Sequence, residues 1–353
     1  MRSLSILALI LAMAFHAKSA EFSFATGAEI VPEFNAGDFL LAAFTDNKII
    51  VDSSYAYDGE DGSFVHRLVD SGGLVTLTDT HGDYYVANCP RCNESPVRLW
   101  DVESNALLHR FVVDETNFTV SPPGFWGVGV AVGENYVASS DQRGNTAVFS
   151  IATGEQILDL PVERGPDFSG QPGLGFFGDK LLKGSTGRRI DGEVTPSVIL
   201  VDVPTGEIEL EITPDVIRDG LSFGSGVGLS DDALFVHDGF EILKYDYSGN
   251  LLASVEDPIL STRQFEYSGG YIRVARSIYD EDLNLVLEHS EFVVSIMDDR
   301  FLSYDGFDFD AVTGSTIGNF SVHTIPEPTG YQLGFFAVLC LGVSCRSCST
   351  ESR

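Results

Sequence analysis

A short hairpin phrase returns along this chain at near-regular spacing, and it constrains the fold more than any other feature. "FSIATGEQI" begins at Phe149, "VDVPTGEIE" at Val201, "FDAVTGSTI" at Phe309, and "FSFATGAEI" near the start at Phe22. Looser copies are "VDSGGLVTL" from Val69, "WDVESNALL" from Trp100, "YDYSGNLLA" from Tyr245 and "YDEDLNLVL" from Tyr279. Each passes from an apolar or aromatic residue through Asp or Ser into a Gly or Asn turn, then into a second apolar run. Glycine accepts positive φ at little cost, and an Asp or Ser side chain ahead of the turn can bond its amides. Each copy therefore predicts one β-hairpin.

The marker residues are Asp70, Asp101, Ser150, Asp202, Asp246, Asp280 and Asp310. Asp70 to Asp310 is 240 residues in six steps, a mean of 40. A repeat of that length with several short strands is the signature of a β-propeller. A second strand class precedes the hairpins: "KIIVDSS" from Lys48, "DYYVANC" from Asp83, "NYVASSD" from Asn135, "DKLLKGS" from Asp179, "DALFVHD" from Asp232 and "GYIRVAR" from Gly270. The glycine-rich "GFWGVGVAV" from Gly124 and "SFGSGVGLS" from Ser222 suit innermost strands packed close around an axis. The expected fold is all-β, a propeller over residues 20–324 with seven blades, six or eight being the alternatives. The Phe22 copy either adds an eighth blade or closes the ring by completing the last one. A pair of β-sandwiches is the rival fold, and the 40-residue unit argues against it.

Charge and motifs narrow the function. The 353 residues carry 52 acidic and 21 basic side chains, a formal net charge of −31. Such a surface repels phosphate backbones, so nucleic-acid binding is not expected. The histidines are scattered, with no HExxH; there is no Gly-x-Ser-x-Gly elbow and no P-loop. "GLGFFG" from Gly173 has the wrong spacing for a dinucleotide loop. No catalytic residue and no cofactor is expected. Calcium is the one metal with a local candidate, Asp58-Gly59-Glu60-Asp61-Gly62, against the plainer reading of a solvated acidic turn. Cys89 and Cys92 in "NCPRCN" are expected to form a local disulfide in an oxidising compartment, with a free or transient pair as the alternative. Cys340, Cys345 and Cys348 lie in the tail, and Asn93, Asn117 and Asn319 head glycosylation sequons.

The two ends speak of delivery. Residues 1–19 read as a signal peptide: Arg2, an apolar Leu4–Phe15, then Ala17-Lys18-Ser19 ahead of a cleavage near Ser19 or Ala20. At the other end, Pro326-Glu327-Pro328 cannot continue a strand ladder and predicts an extended spacer. Leu333–Val343 follows, eleven residues without a charge, then Arg346 and Arg353. The run is short for a stable span and fits a temporary hold in the membrane, the propeller outside. A buried last strand is the alternative.

On those residues the tail, 325–353, resembles the PEP-CTERM sorting signal of Gram-negative bacteria, departing from it in a thin basic end flanked by Cys345 and Cys348. The resemblance implies Pro326, Glu327 and Pro328 as the sorting motif, an exosortase-type processing enzyme as partner, and release or attachment at the cell surface, where such proteins associate with exopolysaccharide. Residues such as "YVASSDQRGNTAVFSIATGEQILDL" resemble a blade of the WD40-like and quinoprotein-like propellers. With Trp100 and Trp126 the only tryptophans, the quinone cofactor is not implied. The sequence thus predicts an exported, non-catalytic propeller that contacts the inner membrane transiently through its tail. Protein, glycan or cation binding at the surface or matrix would be its task. The alternative is a secreted hydrolase or lyase acting on matrix glycans.

Overall fold

The computed structural model describes residues 20–26, 42–51, 54–60, 62–70, 78–88, 97–114, 126–141, 144–161, 172–190, 193–214, 223–257, 265–310 and 315–325. The expected disulfide, the signal peptide, the Pro-Glu-Pro motif and the apolar tail lie outside these residues. Among them there are 28 strands and no helix, and so no helix long and apolar enough to cross a membrane.

The chain begins with β1 (Ala20–Thr26). Blade 1 is β2 (Ala42–Phe44), β3 (Lys48–Val51), β4 (Tyr55–Asp58) and β5 (Phe64–Arg67). Blade 2 is β6 (Thr78–His81), β7 (Tyr84–Asn88), β8 (Val97–Asp101) and β9 (Ala106–Phe111). Blade 3 is β10 (Trp126–Val132), β11 (Tyr136–Asp141), β12 (Thr146–Ser150) and β13 (Gln156–Leu160). Blade 4 is β14 (Leu174–Phe177), β15 (Lys180–Ile190), β16 (Glu193–Asp202) and β17 (Glu207–Ile212). Blade 5 is β18 (Gly226–Leu229), β19 (Leu234–His237), β20 (Glu241–Tyr245) and β21 (Leu251–Glu256). Blade 6 is β22 (Phe265–Ser268), β23 (Tyr271–Val274), β24 (Ser277–Asp280) and β25 (Leu285–Glu288). Blade 7 is β26 (Phe292–Met297), β27 (Arg300–Asp310) and β28 (Ser315–Thr324), completed by β1 in the order β1-β28-β27-β26.

Every sheet is an antiparallel meander of four strands, and neighbouring innermost strands pack against one another around the ring. The expected seven-bladed propeller is what forms. The Phe22 copy makes no eighth blade; Phe22 pairs with Phe320 and its strand closes the ring. A closed ring leaves no inner edge to recruit another chain.

The repeat marks one kind of hairpin in six blades. The third and fourth strands join through a turn whose positive-φ residue is Gly62, Asn105, Gly154, Gly206, Gly249 or Leu283. Each of these strand pairs shifts register beside the turn. A left-handed residue followed by a one-residue bulge reverses the chain while keeping the strand twist. Asp246 Oδ1 accepts the Ser248 and Asn250 amides, and Asp280 Oδ1 accepts those of Asp282 and Asn284. Two markers differ from expectation. In blade 1 the hairpin residue is Asp58, whose Oδ1 takes the Glu60 amide; Asp70 sits beyond β5. Asp310 ends the second strand of blade 7, not the third, because that blade borrows its fourth strand from the N-terminus.

The core is a set of seams between blades. Leu182, Val198, Leu200, Val227, Leu229, Leu234 and Val236 fill the seam between blades 4 and 5. Phe44, Ile49, Val51, Leu302 and Phe320 join blade 1 to blade 7. Inner-strand glycines let the blades close up: a Cβ on Gly226 or Gly228 would strike the side chain of Phe265 or Tyr267 in the next blade.

Candidate functional site: an acidic end face and an axial polar girdle

Meander topology places the first-to-second turn of every blade, and the third-to-fourth turn of blades 1 to 6, at the same end of the ring. The first-to-second turns carry Asp46, Asp83, Glu134, Asp179, Asp231–Asp232 and Asp298–Asp299, in every blade but the sixth, where the turn is Gly269–Gly270. The third-to-fourth turns add carboxylates such as Glu60, Glu103, Glu155 and Asp282, all exposed. Cations are few here and engaged: Lys48 with Glu103 at 2.6 Å, Lys180 with Glu209 at 2.5 Å and Lys244 with Asp282 at 3.5 Å. Arg300 donates to the Asp46 carbonyl at 3.0 Å. The carboxylates of blades 1 and 2 feel one another. Burial, then repulsion from Asp46, Glu103 and Asp101, pushes the Asp83 carboxyl upward against the pull of Lys48. Asp83 Oδ1 is buried with no hydrogen-bond partner among the described residues.

Both described ends of the chain leave at this face. Ala20 pairs with Val322 on the outer side of blade 7, and the Ile325 amide bonds the Asp299 carbonyl at 2.6 Å.

Around the axis, a second set of polar groups bridges the inner strands. Asp79 on β6 accepts the Val132 amide of blade 3 at 2.8 Å. Burial first, then repulsion from Glu266 of blade 6, raises its pKa to about 7, opposed by the Val132 and Thr80 amides. Blades 2 and 6 are not neighbours in the ring, so these carboxylates sense each other across the axis. Glu266 pairs with Arg273 at 3.0 Å and accepts from Ser295 Oγ (3.1 Å) and the Ile296 amide (3.3 Å) of blade 7. Arg273 Nη1 donates to the Val293 carbonyl at 2.9 Å. Burial pushes Glu266 up and Arg273 down, and each opposes the other's shift. This is a buried ion pair stitching blade 6 to blade 7.

The calcium candidate segment forms the Asp58 hairpin, in which Asp58 Oδ1 accepts the Glu60 amide; Asp61 lies outside the described residues. No group of three or more His, Cys, Asp or Glu that could hold a metal forms among the described residues. His237 is fully buried, bonded to the Asp257 carbonyl and the Gly239 amide, and so is a packed histidine. Asp79, Glu266 and Arg273 were not singled out by sequence. They sit on separate strands, and only ring closure brings them round one axis. The acidic end face was half visible, as turn residues whose shared side follows from topology.

Fold and face together define a seven-bladed β-propeller with one strongly acidic end. No protein-family model matches the sequence, and no curated protein matches it. Among solved structures, the computationally designed Ika8 protein is similar in fold, with 16% identity, TM-score 0.50, and 81% of this chain and 83% of that one covered. BamB from Moraxella catarrhalis is a weaker likeness, with 14% identity, TM-score 0.46, and 82% and 87% covered.

Proposed function

We propose that this is an exported, non-catalytic propeller, sorted to the bacterial cell surface or exopolysaccharide matrix through its Pro326-Glu327-Pro328 tail, which binds a cationic partner there through its acidic end face. The observation that carries the reading is the gathering of carboxylates from six of seven first-to-second turns at one end, exposed in all but the Asp83 turn, where the carboxylate is half-buried. Like charges so arranged attract a polycation, a basic protein segment or an amino-bearing glycan, and steer its approach. The non-catalytic part draws on Asp79 Oδ2, which accepts the Val132 amide of blade 3, and on Glu266, which pairs with Arg273 in its own blade and accepts from Ser295 and Ile296 of blade 7. Export rests on the Leu4–Phe15 leader, and sorting on the tail.

Polylysine and chitosan oligomers are the probes. Binding should weaken steeply with salt and fall several-fold in a variant carrying Asp231→Asn, Asp232→Asn, Asp298→Asn and Asp299→Asn. Salt-independent binding, or a variant that binds as wild type, would remove the acidic face from the reading. Mass spectrometry of the surface fraction tests sorting separately: an intact Leu333–Val343 peptide there overturns processing at the tail. The runner-up, a glycan hydrolase or lyase, draws on the electrostatic repulsion between Asp79 and Glu266, carboxylates of blades that are not neighbours. Turnover of a matrix glycan that is lost in Asp79→Asn would establish it.

A further inference from the structure

β17 is the outermost strand of blade 4, last in the order β14-β15-β16-β17, and its outer edge carries no further strand among the described residues. Its residues, Glu207-Ile208-Glu209-Leu210-Glu211-Ile212, alternate carboxylates with apolar side chains. No other fourth strand among the described residues does so. β5 and β9 carry Arg67 and Arg110, and β13 and β1 hold Asp159 and Glu21 alone. β21 and β25 hold one carboxylate each, Glu256 and Glu288, at their last residue. The three glutamates of β17 are exposed, and Lys180 answers Glu209 at 2.5 Å. Leu210 and Ile212 pack into the seam with blade 5, while Ile208 stays 53% exposed.

The start of blade 5's outer strand borders this edge. A Cβ on Gly249, in the blade 5 hairpin, would meet Leu210 Cδ1 at 3.1 Å and Ile212 Cγ1 at 3.9 Å. Leu251 and Leu252 follow on β21, 56% and 55% exposed. Leu251 is the cross-strand partner of Tyr245, which lies in the same seam as Leu210 and Ile212. The acidic end of the ring reaches this place as well. The Tyr247 hydroxyl donates to the Ser230 carbonyl at 2.6 Å, and burial, then Asp231, Asp232 and Glu209, push its pKa upward. The blade 5 end turn and β17 therefore set their charges on one point.

An open strand edge recruits a strand, and its side chains decide which one. A second copy of β17 would set glutamate against glutamate, which is destabilising. A strand in which lysine or arginine alternates with apolar residues would set opposite charges across the pair and cover Ile208, Leu251 and Leu252. A polycation without apolar groups, or an amino-bearing glycan, would use the charge but neither the edge nor the leucines. We propose that the β17 edge of blade 4, with Leu251 and Leu252 beside it, docks an extended peptide segment of alternating basic and apolar residues, added to the blade as a fifth strand. This rests on the acidic-end reading in taking a cationic partner, and adds that partner's class and place.

The test is calorimetric titration of the protein with a capped peptide of four Lys-Val repeats, with the same peptide fully N-methylated, and with octalysine. The alternating peptide should bind about ten-fold more tightly than either control. Glu207→Gln with Glu211→Gln should weaken it several-fold, and so should Leu251→Ser with Leu252→Ser. The leucine pair should leave octalysine binding unchanged. Hydrogen exchange with the alternating peptide bound should show new protection on β17. Equal affinity for the three peptides, or protection on another blade's edge, would overturn this site and leave the acidic-end reading standing. Tight binding of the alternating peptide with none of octalysine would sustain the site and remove the end face from that reading. Should either pair of substitutions disturb the thermal melt, hydrogen exchange on the wild type still decides.

Discussion

Asp79 shows what a single residue gains from its place on the axis. Its carboxyl titrates near 7 in the folded chain, against about 4 when unfolded. The folded state therefore holds the proton more tightly. The stability this contributes is full below pH about 4 and is lost as pH rises through about 7. Asp79→Asn keeps an acceptor for the Val132 amide without the charge. Thermal melts should show the variant more stable than wild type at pH 8, by about 1–2 kcal/mol after allowance for partial solvation, with the difference shrinking toward pH 5. A wild type that is equally stable at both pH values relative to the variant would contradict the assignment. Glu266 behaves differently because its partner is a cation. Arg273→Met strands a buried carboxylate and should cost about 3–5 kcal/mol in urea unfolding. Adding Glu266→Leu should recover much of that loss, since a desolvated ion pair contributes little net stability.

At the scale of elements, the third-to-fourth hairpin and the innermost strand are the two devices repeated round the ring. The hairpin was legible because its chemistry is local: a carboxylate, three or four residues, and one residue at positive φ. Gly249 has φ of 81°, and Gly249→Ala should destabilise by about 1–2 kcal/mol, read as a lower urea midpoint at unchanged slope. The innermost strand was legible as a glycine-rich run, though the reason for each glycine was not. Gly228 faces Tyr267 of the neighbouring blade with no room for a methyl group. Gly228→Ala should cost about 1–3 kcal/mol by overpacking, despite relieving unfolded-state entropy. The misplaced marker at Asp70 has the same origin. "VDSGG" has the right residue types, but Asp58 opens the turn that lies in register between β4 and β5.

For the whole molecule, closure by β1 has the largest consequence. The first strand pairs with the last from Ala20–Val322 to Thr26–Thr316, so the ring is complete only when both ends are present. A chain starting at residue 27 exposes the β28 edge. It should lose cooperativity in thermal unfolding and form oligomers by light scattering, while a chain starting at Ala20 stays monodisperse. A truncated chain that melts like the full propeller would show that the seventh blade stands on three strands. Closure also brings the start of β1 and the exit at Ile325 to the acidic face. Under the proposed sorting, leader and tail would therefore depart from the same end of the ring, beside the Asp298–Asp299 turn.

What sequence alone determined was whatever repeats locally. The hairpin marker, the strand that precedes it and the glycine-rich lead-in each encode a blade from contacts within about 40 residues, and their recurrence encodes a ring. Tertiary structure decided everything that depends on blades meeting. It set the shared side of the acidic turns, the electrostatic repulsion between Asp79 and Glu266, the Glu266–Arg273 clasp and the role of the Phe22 strand. Those pairings join residues up to some 300 positions apart, and no local pattern records them, because their energies arise from the burial and charge that appear only when the ring closes.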